Sequence, residues 1–210
     1  MANRIFFLPH EQRNHDSIKR VSYSILDLPP AAFSTHAATL VDLYIEAMGY
    51  PRSLKSRAVH SWRSAVMEAG FVACCAVSGE ELLGVTYGFL GRPEHWWYRQ
   101  LSQGLRQQHP HTNPLEPPAL WLRNYFELAE IHVSPHHQGR GIGRALLQHV
   151  LNQVHSPNIL LSTPEVPMES NAAFGLYRSL GFEDMLRHFH FAGDARPFAV
   201  LRAPSQHATQ

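Results

Sequence analysis

Cysteine is almost missing from this chain: Cys74 and Cys75 are the only two among 210 residues. They are adjacent, and neighbours on a strand point to opposite faces, so a disulfide between them is not expected. Two neighbouring thiols make no metal site on their own. The expectation is a pair of buried thiols in a reducing, cytoplasmic setting. Long hydrophobic runs are missing too. No stretch approaches the ~20 apolar residues of a membrane helix, and Ile5-Phe6-Phe7-Leu8 is closed by Pro9 before it could serve as the core of a secretory leader. Charge of one sign is lacking: 18 Lys and Arg stand against 17 Asp and Glu, a net charge of +1. That balance gives no reason to expect nucleic acid or a membrane surface as partner. There is no internal repeat, no low-complexity segment and no G-K-S/T phosphate loop. With 44% hydrophobic and 17% charged residues, the chain has the composition of an ordinary globular protein and the length of one domain.

Taken in order, residues 1–20 are polar with mixed charge and read as a loosely held arm. Residues 21–28 read as a strand stopped by Pro29-Pro30, with a helix to follow from a cap at Ser34 or Thr35 to about Met48. Its apolar face would be Leu40, Val41, Tyr44 and Met48. A second helix is expected over 54–69, turning Ala58, Trp62, Ala65 and Val66 inward and ending at Gly70. Two strands, 71–77 and 82–90, would form a hairpin around Gly79. The connection 91–124 is long for a compact domain. Within it Trp97, Leu101 and Leu105 recur every four residues, which predicts a one-sided helix over 94–107. Its aromatic content leaves two roles open, a flap packed over the sheet or a lid over a substrate pocket. Strands are expected again at 126–133, 158–163, 183–191 and 197–202, with a frayed tail over 204–210. His188 and His190 would share a strand face, but no third ligand stands at a sensible spacing, so no metal is expected.

The densest signal runs over 126–147. After the strand, Ser134-Pro135 ends the ladder, and Gly139, Gly141 and Gly143 follow at every second position. From Arg144 onward apolar residues repeat at helical spacing. Glycines there let the backbone turn and approach a ligand closely. The first amides of the helix have no partner within it, and the helix dipole adds partial positive charge at that end. Such a place binds phosphate, and Arg140 and Arg144 add full charges beside it. The third glycine comes one place too early for a dinucleotide fold, and too much of the chain precedes it.

Gln138-Gly139-Arg140-Gly141-Ile142-Gly143 resembles the pyrophosphate loop, Q/R-x-x-G-x-G/A, of the GNAT acetyl-CoA-dependent N-acetyltransferases. Residues 171–182, NAAFGLYRSLGF, are similar to a second signature of that superfamily, and the two stretches occur in the family's order. The resemblance covers about 21–203. It implies an α/β (α+β) domain: a mixed, mostly antiparallel twisted sheet of six to seven strands flanked by helices, with the fourth and fifth strands splayed for coenzyme A. It further implies acetyl-CoA as cosubstrate without a metal, and a small-molecule or peptide amine as acceptor. Homodimerisation is left open. By the same resemblance, backbone at Ile131, His132 and Val133 would hold the pantetheine, and Gln138, Gly139, Arg140, Gly141, Ile142, Gly143 and Arg144 the pyrophosphate. Asn171 would cap its helix and touch the cofactor. Tyr177 matches the family's general acid.

For the base there are two carboxylates, Glu127 and Glu130. Strict alternation puts Glu127 on a face with Ala129, Ile131 and Val133, and Glu130 on the other with Leu128 and His132. Glu127 falls where some members of the superfamily carry a catalytic carboxylate or histidine, so it is the favoured base. The reading from a different class is a GNAT-shaped module that binds an acyl-CoA and senses or scaffolds without turnover.

Overall fold

The computed structural model describes residues 22–111, 113 and 115–204. The expected arm and, apart from Pro204, the expected tail lie outside the described residues. Seven strands form one sheet in the order β1-β2-β3-β4-β5-β7-β6. The chain divides into two compact units, one running to Gly88 and resuming over Glu130–Gln153, the other comprising Phe89–Ala129 and the chain from Val154.

In the first unit, β1 (Ser24–Asp27) pairs antiparallel with β2 (Val72–Ser78), which pairs antiparallel with β3 (Glu81–Leu90). Ser78 opposes Glu81, so Gly79 and Glu80 alone make the turn, with Gly79 at φ 58°. Helix α1 runs over Pro30–Met48, and this corrects the expected start at Ser34 or Thr35. Pro29 is extended (φ −55°, ψ 153°) and Pro30 opens the helix, a position where a missing N–H costs nothing. The prolines that stop the strand therefore also start the helix. Thr35 lies inside it, its hydroxyl donating to the Ala31 carbonyl (2.8 Å). Helix α2 (Lys55–Ala65) is shorter than expected, because its last residues tighten into turns closed by the Met67 and Glu68 amides on Ser64 and Ala65. Both helices bury aromatic and apolar faces: Phe33 lies stacked on Trp62 (5.8 Å) and edge-on to Tyr87 (5.1 Å), and Leu40, Val41 and Ala65 are buried with them. Cys74 and Cys75 are fully buried thiols, and burial pushes Cys75 up to about 12.

The second unit contains β5 (Asn158–Pro164), β6 (Glu183–Phe189) and β7 (Phe198–Pro204), with β7 antiparallel to both of the others. The long connection carries helix α3 (Trp96–Gln108) and a 3₁₀ turn (Ala119–Arg123). It is a packed part of this unit. Leu101, Leu105 and Leu122 share a buried cluster with Tyr125, Leu160, Met185, Leu186, Phe189 and Val200. The helix comes so close that a side chain at Gly104 would begin 2.6 Å from the Phe189 ring.

Strand β4 (Tyr125–Val133) neighbours β3 and β5. Its bonds to β3 run antiparallel, from the Gly91 amide to Tyr125 and from the Ser134 amide to Leu83. From 125 to 134 is nine steps, while from 83 to 91 is eight. One residue of β4 is extra, and strict alternation does not carry through the strand.

Candidate active site

The glycine stretch folds as its composition requires. Gly139 and Gly141 adopt left-handed backbone (φ 73° and 82°), which side chains with a Cβ disfavour. Among the described residues no atom lies within 4 Å of where a Cβ at Gly139 would sit, and at Gly141 the nearest is the Tyr23 hydroxyl at 4.0 Å. The loop is exposed from Gln138 to Gly141. Gly141 is the N-cap of α4 (Ile142–Leu151), so the helix starts two residues before the expected Arg144. No side chain of a described residue caps it. The first amide bond within it runs from Ala145 to Gly141 (3.0 Å), leaving the amides before it pointing out of the helix end. Gln138 donates its side-chain amide to the Val133 carbonyl (3.2 Å) and so ties the loop to β4. Arg140 and Arg144 are exposed beside these amides.

On β4, Glu127 is buried, with 9% of its surface accessible. It is the last residue of β4 in register with β5: the parallel ladder pairs Tyr125 with Asn158, Phe126 with Ile159 and Glu127 with Leu160, then stops. β4 itself runs on to Val133 and β5 to Pro164. Where the ladder stops, backbone is released for another partner. Burial foremost, and then the Glu127 charge, hold the Tyr125 hydroxyl well above the ordinary phenol range. Glu130 and His132 form a pair, Oε2 to Nε2 at 2.6 Å. Alternation assigns these two residues to one face, and the structure brings them together. Ile131 and Val133 are half-buried beside them.

Helix α5 (Ala172–Ser179) begins at Asn171, whose Oδ1 accepts from the Phe174 amide (2.9 Å). This is the expected cap. Tyr177 is 6% exposed and packs against Phe182 (5.7 Å between rings). Sequence reasoning missed the ion pairs around this helix. Glu169 takes two bonds from Arg178 (2.5 and 2.9 Å) and one from Arg187 (2.7 Å), and Arg187 also meets Glu165 (2.6 Å). The hydrogen bond from Arg178, then that from Arg187, bring the Glu169 carboxyl down from its ordinary 4.5 to about 2. The backbone entering this turn is left-handed at Met168 and Glu169 (φ 52° and 53°). His188, one of the two histidines weighed as metal ligands, pairs with Glu165 (2.6 Å). Among the described residues no group of three His, Cys, Asp or Glu could hold a metal, and no helix is long and apolar enough to cross a membrane. A hollow of about 330 Å³ lies within the long connection between Tyr98, Arg106, His109 and Arg123, and none of the sequence-predicted site residues lines it.

Comparison with known proteins bears on all three pieces. The family model described as an acetyltransferase (GNAT) domain matches residues 112–184. A GCN5-like protein acetyltransferase of Mycobacterium tuberculosis is 36% identical over 199 residues, covering 84% of this chain and 95% of that protein. The ribosomal protein bS18-alanine N-acetyltransferase of Escherichia coli is 35% identical over 78 residues, 36% of this chain and 53% of that one. Its kind is also similar in fold: the crystal structure of the Escherichia coli ribosomal-protein-S18-alanine N-acetyltransferase superposes with a TM-score of 0.56 at 17% identity, covering 88% of this chain and 94% of that one. Arabidopsis thaliana NAA60, solved in complex with acetyl-CoA, gives a TM-score of 0.55 at 14% identity, covering 87% and 98%.

Proposed function

Because this chain belongs to the GNAT family of acetyltransferases, we propose that it moves the acetyl group of acetyl-CoA directly onto a primary amine of a peptide or protein. One observation carries the reading: the helix end at α4, with no side-chain cap among the described residues, preceded by two left-handed glycines and flanked by Arg140 and Arg144. Backbone amides and a helix dipole at an uncapped helix end suit a pyrophosphate. Gln138, Gly139, Arg140, Gly141, Ile142, Gly143 and Arg144 are its holders in this proposal, with backbone at Ile131, His132 and Val133 receiving the pantetheine as an added strand would be received.

Acetyl transfer needs a deprotonated amine, a polarised thioester carbonyl and a proton for the leaving thiolate. Glu127 is proposed as base. Its place supports this: it is buried on β4 at the point where the ladder to β5 stops. Tyr177 is proposed as the acid, because a phenol keeps its proton at neutral pH and can give it to the sulfur. Asn171, with Oδ1 already engaged by Phe174, is proposed to reach the cofactor through its remaining amide group. The peptide acceptor rests on the 36% identical relative, a protein acetyltransferase. The test mixes the protein with acetyl-CoA and a panel of lysine-bearing and N-terminal peptides and follows thiol release and peptide mass. Thiol release matched by one added acetyl group per peptide is expected. Coenzyme A binding without release for any amine would make the chain a binding module instead.

A further inference from the structure

The hollow of about 330 Å³ in the long connection has a wall chemistry that acetyl transfer leaves unused. The residues that line it fall within 98–123, inside one compact unit. Helix α3 supplies Tyr98, Ser102, Leu105, Arg106 and His109, which recur at helical spacing and so share one stripe of the helix. The stripe beside it turns into the core, with Leu101 in the buried cluster and Gly104 against Phe189. The other wall is the 3₁₀ turn and the proline before it, through Pro118, Ala119, Leu122 and Arg123. Both walls are fixed. Gln108, at the end of α3, donates its side-chain amide to the Arg187 carbonyl (2.8 Å), and Gln100 accepts from the Ala192 amide (2.9 Å). The turn is held by its buried Leu122 and by Trp121, over which the Arg202 guanidinium lies at 4.8 Å. Walls held in this way make a preformed site, and its volume is within the range of small-molecule pockets.

The buried part of this lining is apolar and the exposed part is cationic. Leu105 and Leu122 are buried, whereas Arg106, His109 and Arg123 are exposed. None of the lining residues is acidic. In a chain whose charges nearly cancel, at +1, two guanidiniums on one small hollow are a local excess. A guanidinium keeps its charge at neutral pH and presents a planar fork of donors that fits a carboxylate or a phosphate. Arg106 is steadied one turn back along α3, where Nη1 donates to the Ser102 hydroxyl (2.8 Å), and its other donors face no such claim from Ser102. We propose that the hollow is a binding site for a small organic anion with an apolar body. The body sits on Leu105, Ala119 and Leu122 beside the Tyr98 ring, where it leaves water, and the carboxylate or phosphate is held by Arg106 and Arg123. The site shares no residue with those proposed for acetyl-CoA, and it stands whether or not the protein transfers acetyl groups.

The experiment titrates the full chain with phenylacetate, phenyl phosphate and the uncharged phenylacetamide, followed by calorimetry and by amide chemical shifts. Each titration is repeated on Arg106→Gln, Arg123→Gln and Ala119→Phe, with circular dichroism to show that the variants are folded. At least one of the two anions should bind with one equivalent and shift amides within 98–123, and the tighter of them tells a carboxylate site from a phosphate site. Phenylacetamide has the shape of phenylacetate without the charge and should bind at least tenfold more weakly, as should the anion to either arginine variant. Ala119→Phe fills the apolar part and should abolish binding with both arginines in place. Neither anion binding at millimolar concentration would overturn the proposal. So would an amide that binds as well as the anions, or an anion that binds both arginine variants as tightly as the unmodified protein.

Discussion

Helices α4 and α5 each open within a signature of the sequence, yet their first turns are completed in different ways. At α5 the end is closed from within. Asn171 satisfies the Phe174 amide, and the turn before it is locked by Glu169 between Arg178 and Arg187. At α4 no side chain of a described residue caps the helix, and two left-handed glycines replace the locked turn. A helix end with unsatisfied amides is stable when water or a ligand completes it. On the proposed function, the contrast separates a helix start that serves the fold from one that receives an anion. It also says where a substitution should cost stability and where it should cost binding.

The largest effect is expected inside α5. Tyr177→Phe keeps the ring packed on Phe182 and removes only the hydroxyl, so kcat should fall by ~10²–10⁴-fold with little change in the KM for acetyl-CoA. An unchanged kcat would return Tyr177 to the core and make α5 structural throughout. Glu127→Gln should flatten the acidic limb of the pH–rate profile and lower the rate most near neutrality; an unaltered profile would remove Glu127 as base.

Effects on stability should be smaller and confined to the closed end. Asn171→Ala removes the cap and should cost about 1 kcal/mol in denaturant unfolding. A change within error would mean that the cap is dispensable. Glu169 should matter through pH. Its carboxyl is held at about 2 in the folded protein against an ordinary 4.5. A depressed carboxyl contributes stability that is complete above the unfolded value and is lost as pH falls through the folded one. Glu169→Gln should therefore flatten the decline in stability between about pH 4.5 and 2 and destabilise the protein above it. An unchanged acid profile would mean the two arginines give this carboxylate nothing.

Much of this contrast is legible in the amino-acid sequence alone. The glycines at 139 and 141 are residues that left-handed backbone selects, and Asn171 followed by an apolar helix is a cap signal. Alternation, with the prolines and glycines between the runs, places most strands to within a few residues. What escapes has physical reasons. Proline is both a strand stop and a favoured first helical residue, so Pro29-Pro30 can be read either way, and reading it only as a stop starts α1 too late. The extra residue in β4 leaves no mark in composition, yet it shifts the register along the strand that carries Glu127 and Glu130. The arginine pairs around Glu169 join residues 9 and 18 apart, which no local period encodes. Glu130 and His132, two apart on a strand, fall on one face by alternation, but their contact is a matter of side-chain geometry that alternation does not specify.

The central claim is that the open end of α4 holds the pyrophosphate of coenzyme A, and titration calorimetry of acetyl-CoA tests it most directly. Gly141→Val puts a branched side chain on left-handed backbone at that end, where the glycine has open space. The unmodified protein should bind, and the variant, with its circular dichroism unchanged, should bind at least tenfold more weakly, about 1.4 kcal/mol. The same dissociation constant for both proteins would contradict the claim and leave the glycine loop a turn between a strand and a helix.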